Sequence, residues 1–381
     1  MIRPVHGGNL AWAAALAGCP ASAILDFSAS ISPLGPPESA LDAIQAHLSS
    51  LTAYPDPDYG ELRTALGEAL NVDPDWILPG NGSAELLTWA AWDLSKLPAT
   101  YLVTPAFGDY WRALSAFGAK VLKCSLDLQL LDAEPVRRLV TDDLSVSNRS
   151  LVSPSFRLPV PLALDADRGL LLNNPHNPTG LLFGREAILP YVKQLGMVVV
   201  DEAFMDFLPP SEQETLIDAV EEFPNLVILR SLTKFYSLPG LRLGCAIAHP
   251  DILRRWQQQR DPWPVNALAA AAAAAVVRDA AFERQTWDWL PVARRELFEG
   301  LANLPGLQPL AGAANFLLVE SSMSVCSIQK SLLERHRILI RDCLSFPELG
   351  DRFFRVAVRS KTDNMRLITG LAEVIYSLAD S

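Results

Sequence analysis

Long apolar runs, paired cysteines, clustered histidines and an excess of positive charge are all missing from this chain of 381 residues. No stretch approaches the ~18–20 uninterrupted apolar residues of a membrane-spanning helix. The longest run, Ala267 to Val277, is alanine-dominated and suits a packed helix. The five cysteines (Cys19, Cys124, Cys245, Cys326, Cys343) are odd in number and never spaced C-x-x-C. The five histidines form no H-x-x-x-H pair. Neither a disulfide framework nor a metal site is expected, and reduced thiols fit a cytoplasmic protein. Net charge is −11, so there is no electrostatic footprint for nucleic acid or an anionic membrane. Arg3, the apolar run Leu10–Ala17 and L-A-G-C at Leu16–Cys19 imitate a lipoprotein signal. The preceding H-G-G-N (His6 to Asn9) makes a poor basic region, and a packed helix is the better reading.

What is present is core material: half of the residues are hydrophobic and a fifth charged, enough for two or three domains. Short apolar runs at Tyr101–Val103, Val121–Lys123, Leu170–Leu172, Met197–Val200, Val227–Leu229 and Cys245–Ala248 alternate with helical patterns at Ala84–Leu94, Tyr110–Phe117 and Arg185–Leu195. That alternation predicts an α/β fold with a mostly parallel sheet buried on both faces. After about Pro250 a long helical stretch from Asn266 to Leu301 precedes strands at Phe316–Val319, Ile338–Ile340 and Phe354–Val358. Helices at Ser327–Arg335 and Thr362–Leu378 complete a smaller α+β unit. The expected division is 1–40, an N-terminal segment packing with the small unit and the cleft; 41–260, a large domain; and 261–381, an interdomain helix with the small domain. The proline-punctuated Leu126–Pro161 fits none of these patterns.

Chemistry concentrates just after predicted strands, where ligands of open α/β sheets bind. In S-L-T-K-F-Y-S-L-P-G-L-R-L-G, Ser231 to Gly244, a lone lysine lies among hydroxyls with an arginine eight positions later. A desolvated lysine can form a Schiff base, and the neighbours suit a phosphate; a polar loop after a strand has the same composition. G-N-G-S-A-E-L, Gly80 to Leu86, opens a helix after the turn P-D-W-I-L-P. Its N–H groups at Gly82, Ser83 and Ala84 suit an anion, and Ser83 equally suits a plain N-cap. Phe107 in T-P-A-F-G-D-Y can stack on a flat ring or join the core. Asn177 in N-N-P-H-N-P-T-G is either a rigid amide donor or part of an ordinary turn. Asp201 in D-E-A-F ends a buried strand, where a carboxylate needs a partner; a helix N-cap is the alternative.

In this order the segments resemble the histidinol-phosphate aminotransferase-like group of pyridoxal 5′-phosphate (PLP) enzymes of fold type I, the aspartate-aminotransferase fold. The resemblance runs from H-G-G-N to R-V-A-V-R-S at Arg355–Ser360. It implies PLP carried on Lys234 through a Schiff base. Its phosphate would lie among Gly82, Ser83, Ala84, Ser231, Thr233 and Arg242, its phenolate oxygen at Asn177, its ring nitrogen at Asp201 and its ring face on Phe107. Tyr54, in Y-P-D-P-D-Y, matches a tyrosine that reaches the partner subunit's cofactor phosphate, which implies a homodimer with shared sites.

Within the group, H-G-G-N, L-D-F-S-A-S-I-S-P-L-G, D-P-W-P-V-N-A-L-A and I-L-I-R-D-C resemble the threonine-phosphate decarboxylases of cobalamin biosynthesis. The implied grip on a small phosphorylated amino acid consists of His6, Gly7, Ser28, Ser30, Asn177, Arg341 and Arg355. Bidentate guanidinium suits both phosphate and carboxylate. The implied reaction is decarboxylation of O-phospho-L-threonine; histidinol-phosphate amino transfer and phosphoserine decarboxylation are the alternatives. Ser30 and Ser32 stand where that pattern has asparagines. Phe204 stands where many aminotransferases place a tyrosine.

Overall fold

Thirteen strands are present among the described residues; the computed structural model describes residues 7–127, 158–159 and 166–379. In chain order the first eight are β1 (Leu25–Asp26), β2 (Ile77–Asn81), β3 (Thr100–Thr104), β4 (Val121–Ser125), β5 (Gly169–Asn173), β6 (Met197–Asp201), β7 (Leu226–Ser231) and β8 (Leu243–Ala248). The rest are β9 (Leu307–Pro309), β10 (Phe316–Ser321), β11 (Ile338–Leu339), β12 (Arg341–Asp342) and β13 (Phe353–Ala357). The central sheet has the order β2-β8-β7-β6-β5-β3-β4. Only β8 runs against the others.

Strands β5 to β8 are buried along their whole length, which is why they read as unbroken apolar runs. Side chains alternate between the faces. Leu170, Val198, Val200 and Ile228 enter one core, and Leu171, Val199, Val227 and Leu229 the other. The fold class expected from the alternation is therefore present. The chain departs from the expected element map at three places. P-D-W-I-L-P leads directly into β2, an edge strand containing Pro79; an edge is where a residue without an N–H is tolerated. The Asn266–Leu301 stretch divides into helices Ala267–Val276 and Ala280–Ala302, because Asp279 accepts the Phe282 N–H and starts the second. Ile338–Ile340 is not one strand: β11 pairs with β1, and β12 with β13.

A small antiparallel sheet, β12-β13-β10-β9, carries Arg341 and Arg355 on facing register positions. The N-terminal segment bridges the two sheets. β1 lies parallel to β11, Phe27 donates to the Leu339 carbonyl at 2.8 Å, and Ala357 donates to Phe27 at 2.9 Å. Further along, the Ser32 N–H reaches the Lys234 carbonyl at 3.0 Å, and Ser237 Oγ donates to the Ser32 carbonyl at 2.6 Å. A second bridge is a backbone contact. Gly180 has φ +78°, a Cβ there would lie 3.1 Å from the Gly312 Cα, and the Ala313 N–H donates to the Gly180 carbonyl at 2.7 Å. Gly180→Ala is therefore expected to destabilise the protein by roughly 1–3 kcal/mol, through left-handed strain plus overpacking. A urea titration reads this as a lower midpoint at unchanged slope, and an unchanged midpoint would contradict it.

Candidate active site

Parallel pairing brings the ends of β5, β6 and β7 to one edge, at Asn173, Asp201 and Ser231. Directly after β7 a single helical turn, Leu232–Phe235, presents Lys234. Its Nζ donates to Ser231 Oγ at 3.3 Å, and Ser231 Oγ shares a hydrogen bond of 2.8 Å with Thr233 Oγ1. The amine is held below the usual lysine range. Burial is the main cause; the charges of Arg242 and Arg355 add to it, and Asp201 opposes it. A lysine in this state is a better nucleophile at neutral pH.

Asp201 is 8% exposed. Burial pushes its carboxyl up, countered by Lys234, by the Tyr110 hydroxyl and by the Ala203 N–H. Tyr110 donates to Oδ2 at 2.8 Å and the Ala203 N–H to Oδ1 at 3.0 Å. Tyr110 itself stays a donor, because burial and then Asp201 hold its phenol well above the usual range. Phe107, N-cap of helix Gly108–Ala116, meets the Tyr110 ring edge-on at 5.7 Å. Sequence reading missed Tyr110 as a site residue. Its only signal is a position one helical turn beyond Phe107, and buried core tyrosines share that spacing.

The anion cradle lies at the start of helix Ser83–Leu94. Its N-cap is Gly82, with no side-chain cap, so Ser83 is the first helical residue instead of the cap. Gly82 has φ +79°, and a Cβ there would sit 2.7 Å from Arg242 Nη2. A Cβ on Gly244 would sit 2.5 Å from the Ser83 nitrogen. Arg242, in the left-handed region at φ 60°, donates to the Pro239 carbonyl at 3.2 Å. An uncapped helix N-terminus facing a guanidinium favours an anion. The residues present therefore fit PLP. Gly82, Ser83, Ala84 and Arg242, with the Ser231–Thr233 hydroxyls, would hold its phosphate, and Asp201 its ring nitrogen.

Asn177 stands beside Arg355, whose Nη1 donates to Asn177 Oδ1. Arg355 also donates to the Ser28 carbonyl at 3.4 Å, and its guanidinium covers the Phe316 ring at 4.7 Å. Burial first, then the charge of Arg341, lowers the Arg355 pKa to about 10. Arg341, facing it across the strands, donates to Ser345 Oγ at 2.6 Å. The Ser28 hydroxyl is already engaged: it donates to Asp26 Oδ1 at 2.6 Å and accepts the Gly8 N–H at 2.8 Å. Gly7 crosses so closely that a Cβ would lie 2.2 Å from the Ser28 carbonyl oxygen. Ser30 is 4% exposed, and its Oγ has no hydrogen-bond partner among the described residues. Asn315, not singled out from the sequence, donates to the Ser30 carbonyl at 3.1 Å and leaves its own Oδ1 unpartnered. Phe204 packs edge-on against Phe316 at 5.0 Å, with Lys234 Nζ 5.4 Å from its ring. Tyr54 stands apart, 78% exposed and stacked on Trp263. His6 lies outside the described residues.

The family profile of aminotransferase class I and II matches residues 22–371. The chain belongs to that family. Members of the family depend on PLP. The chain is 37% identical to the threonine-phosphate decarboxylase of Salmonella typhimurium, across 100% of this chain and 99% of that protein. It is 32% identical to a putative threonine-phosphate decarboxylase of Caldanaerobacter subterraneus, covering 90% of this chain and 88% of that one. Its fold is similar to that of a Sinorhizobium meliloti histidinol-phosphate aminotransferase solved in complex with PLP (TM-score 0.79, 23% identity, 97% and 95% covered).

The electrostatics give a direct test. In apoprotein, the Lys234 amine is expected to titrate below the ordinary lysine range, because burial favours its neutral form. Asp201→Asn removes the one charge that favours the ammonium, so the midpoint should fall further. Competitive acetylation of Lys234 against pH measures both, and an upward shift in the variant would refute the assignment.

Proposed function

We propose that the protein decarboxylates O-phospho-L-threonine to (R)-1-amino-2-propanol O-2-phosphate, with PLP on Lys234, in cobalamin biosynthesis. The observation that carries this reading is the pair of guanidinium groups at Arg341 and Arg355. Like charges on facing strand positions repel, so the arrangement is best satisfied by a doubly anionic ligand. A phosphorylated amino acid supplies a phosphate and a carboxylate, and bidentate arginine suits both. End-to-end identity with the Salmonella protein supports the same substrate class.

When bound, PLP supplies an electron sink conjugated to the substrate Cα. Everything else falls to the chain. Asp201, fixed by Tyr110 and Ala203, would keep a proton on the ring nitrogen, and Phe107 would cover one face. Asn177 would meet the phenolate oxygen. Arg341 and Arg355, with Gly7, Ser28 and Ser30 around them, would grip the substrate's anionic ends and hold the Cα–carboxylate bond perpendicular to the ring. His6 belongs to this grip by the same resemblance. Lys234 would return a proton to Cα after CO₂ leaves. Phe204 contributes no hydroxyl, which favours the decarboxylase reading over the aminotransferase one.

Tyr54 would complete the site of a second copy in a homodimer. In the same reading residues 41–260 form the cofactor domain, residues 1–40 and 261–381 closing the substrate side. All five cysteines are free, which supports a cytoplasmic setting. Among the described residues no helix is long and apolar enough to cross a membrane.

Purified holoprotein with O-phospho-L-threonine should release CO₂ and aminopropanol phosphate without any keto acid. Amino transfer from histidinol phosphate to 2-oxoglutarate, with no CO₂, would overturn the reading. O-phospho-L-serine should also react, more slowly, since one methyl group gives only ~1–3 kcal/mol of discrimination. Lys234→Ala should lose both CO₂ release and the visible absorbance of bound PLP; an active variant that keeps the band would show that another residue carries the cofactor.

A further inference from the structure

The Tyr54 ring projects from the surface yet is not loose. It stacks on Trp263 with centroids 4.3 Å apart and planes 25° from parallel. Trp263 is itself 40% exposed, and Leu48 and Leu51 close by in sequence are exposed too. The loop carrying Tyr54 is tied to the Trp263 segment at a second point. The buried Tyr59 hydroxyl donates to the Val265 carbonyl at 3.0 Å and lies 3.1 Å from the Val265 nitrogen. The Trp263 segment is rigid in turn. Its N–H donates to Asp261 Oδ1 at 2.8 Å, and Asn266 caps helix Ala267–Val276 through the Ala269 N–H at 2.8 Å. The Asn266 amide also reaches the Leu241 carbonyl at 3.4 Å, next to Arg242 of the phosphate cradle. The Tyr54 hydroxyl has no hydrogen-bond partner among the described residues. Stacking there aims a ring and a hydroxyl outward without using either in the chain's own core.

We propose that Trp263 is a positioning residue: by stacking it aims Tyr54 outward, so that each chain completes the cofactor-phosphate site of a second copy. This rests on the reading above, in which Tyr54 reaches a partner's site, and adds the device that holds it there. Within one chain the two roles are separate: the Trp263 ring orients Tyr54 toward the partner, whereas Asn266, through the Leu241 carbonyl, braces the Arg242 turn of the chain's own cradle.

A stacked aromatic pair is worth roughly 0.5–1.5 kcal/mol beyond area burial. Trp263→Ala should therefore raise the half-saturating PLP concentration of apoprotein by about two- to thirteenfold, read by absorbance titration. Trp263→Phe, which keeps a ring, should stay within about twofold of the wild type. The decisive arm is a heterodimer, purified through two tags, of a Trp263→Ala chain and a Lys234→Ala chain. One of its sites combines an intact lysine with an intact Tyr54–Trp263 pair. It should bind PLP with wild-type affinity and show about half of wild-type activity, more than the Trp263→Ala homodimer at limiting PLP. A Tyr54→Ala and Lys234→Ala heterodimer runs beside it. Rescue with Tyr54→Ala but not with Trp263→Ala overturns the role of Trp263 and leaves the shared site standing. Failure of both overturns the shared site itself. A Trp263→Phe variant as weak as Trp263→Ala would also refute positioning by stacking.

Discussion

A buried carboxylate at the end of β6 and a partly buried amine just after β7 set the terms for this structure. Neither group can stay charged cheaply where water is excluded, and each is the other's principal electrostatic support. Burial pulls the two titrations toward neutrality, while their mutual attraction resists. The balance leaves a lysine inclined to give up its proton and an aspartate supplied with two donors. A heteroaromatic ring nitrogen would give Asp201 a further proton-bearing partner beside Tyr110 and Ala203.

Holding that pair in register takes a second layer of charge directly behind it. Glu202 follows Asp201 and Arg230 precedes Ser231, so each active-site group has an ionic neighbour in sequence. Arg230 Nε lies 3.0 Å from Glu202, and the same guanidinium meets Asp206. Glu202 is capped by Thr215 Oγ1 at 2.7 Å and the Leu216 N–H at 3.0 Å. Such a network is weak evidence for net stability. It does fix the ends of β6 and β7 relative to one another, and the geometry of the lysine turn depends on that.

Residues whose chemistry demanded a special type were legible in the sequence. A lysine among hydroxyls, a glycine before a helix, an aspartate ending an apolar run: each carries a cost that the proposed function would explain. Central strands were legible for the same reason, since burial on both faces leaves little but apolar residues. Tyr110 and Asn315 were not, because a tyrosine or asparagine in the core looks the same whether it satisfies a site or a neighbour. β2 was hidden by Pro79 and Gly80, which read as turn chemistry and are tolerated only because the strand is at an edge. The state of the two serine hydroxyls was hidden as well: the structure engages Ser28 with Asp26 and Gly8, whereas Ser30 Oγ has no partner among the described residues.

In the proposed reading the cofactor and substrate sides would divide the labour. The cofactor side is built on helix polarity, glycine approach and one arginine, features that serve any chemistry starting from a lysine-bound PLP. On that reading the substrate side rests on strand register: pairing of β12 with β13 sets Arg341 opposite Arg355, and the Ser28 carbonyl accepts from Arg355. Reaction choice depends on which bond to Cα stands perpendicular to the ring. That angle depends on where the far end of the substrate is held, so in the proposed reading the small sheet and the N-terminal bridge, not the lysine, would carry the discrimination.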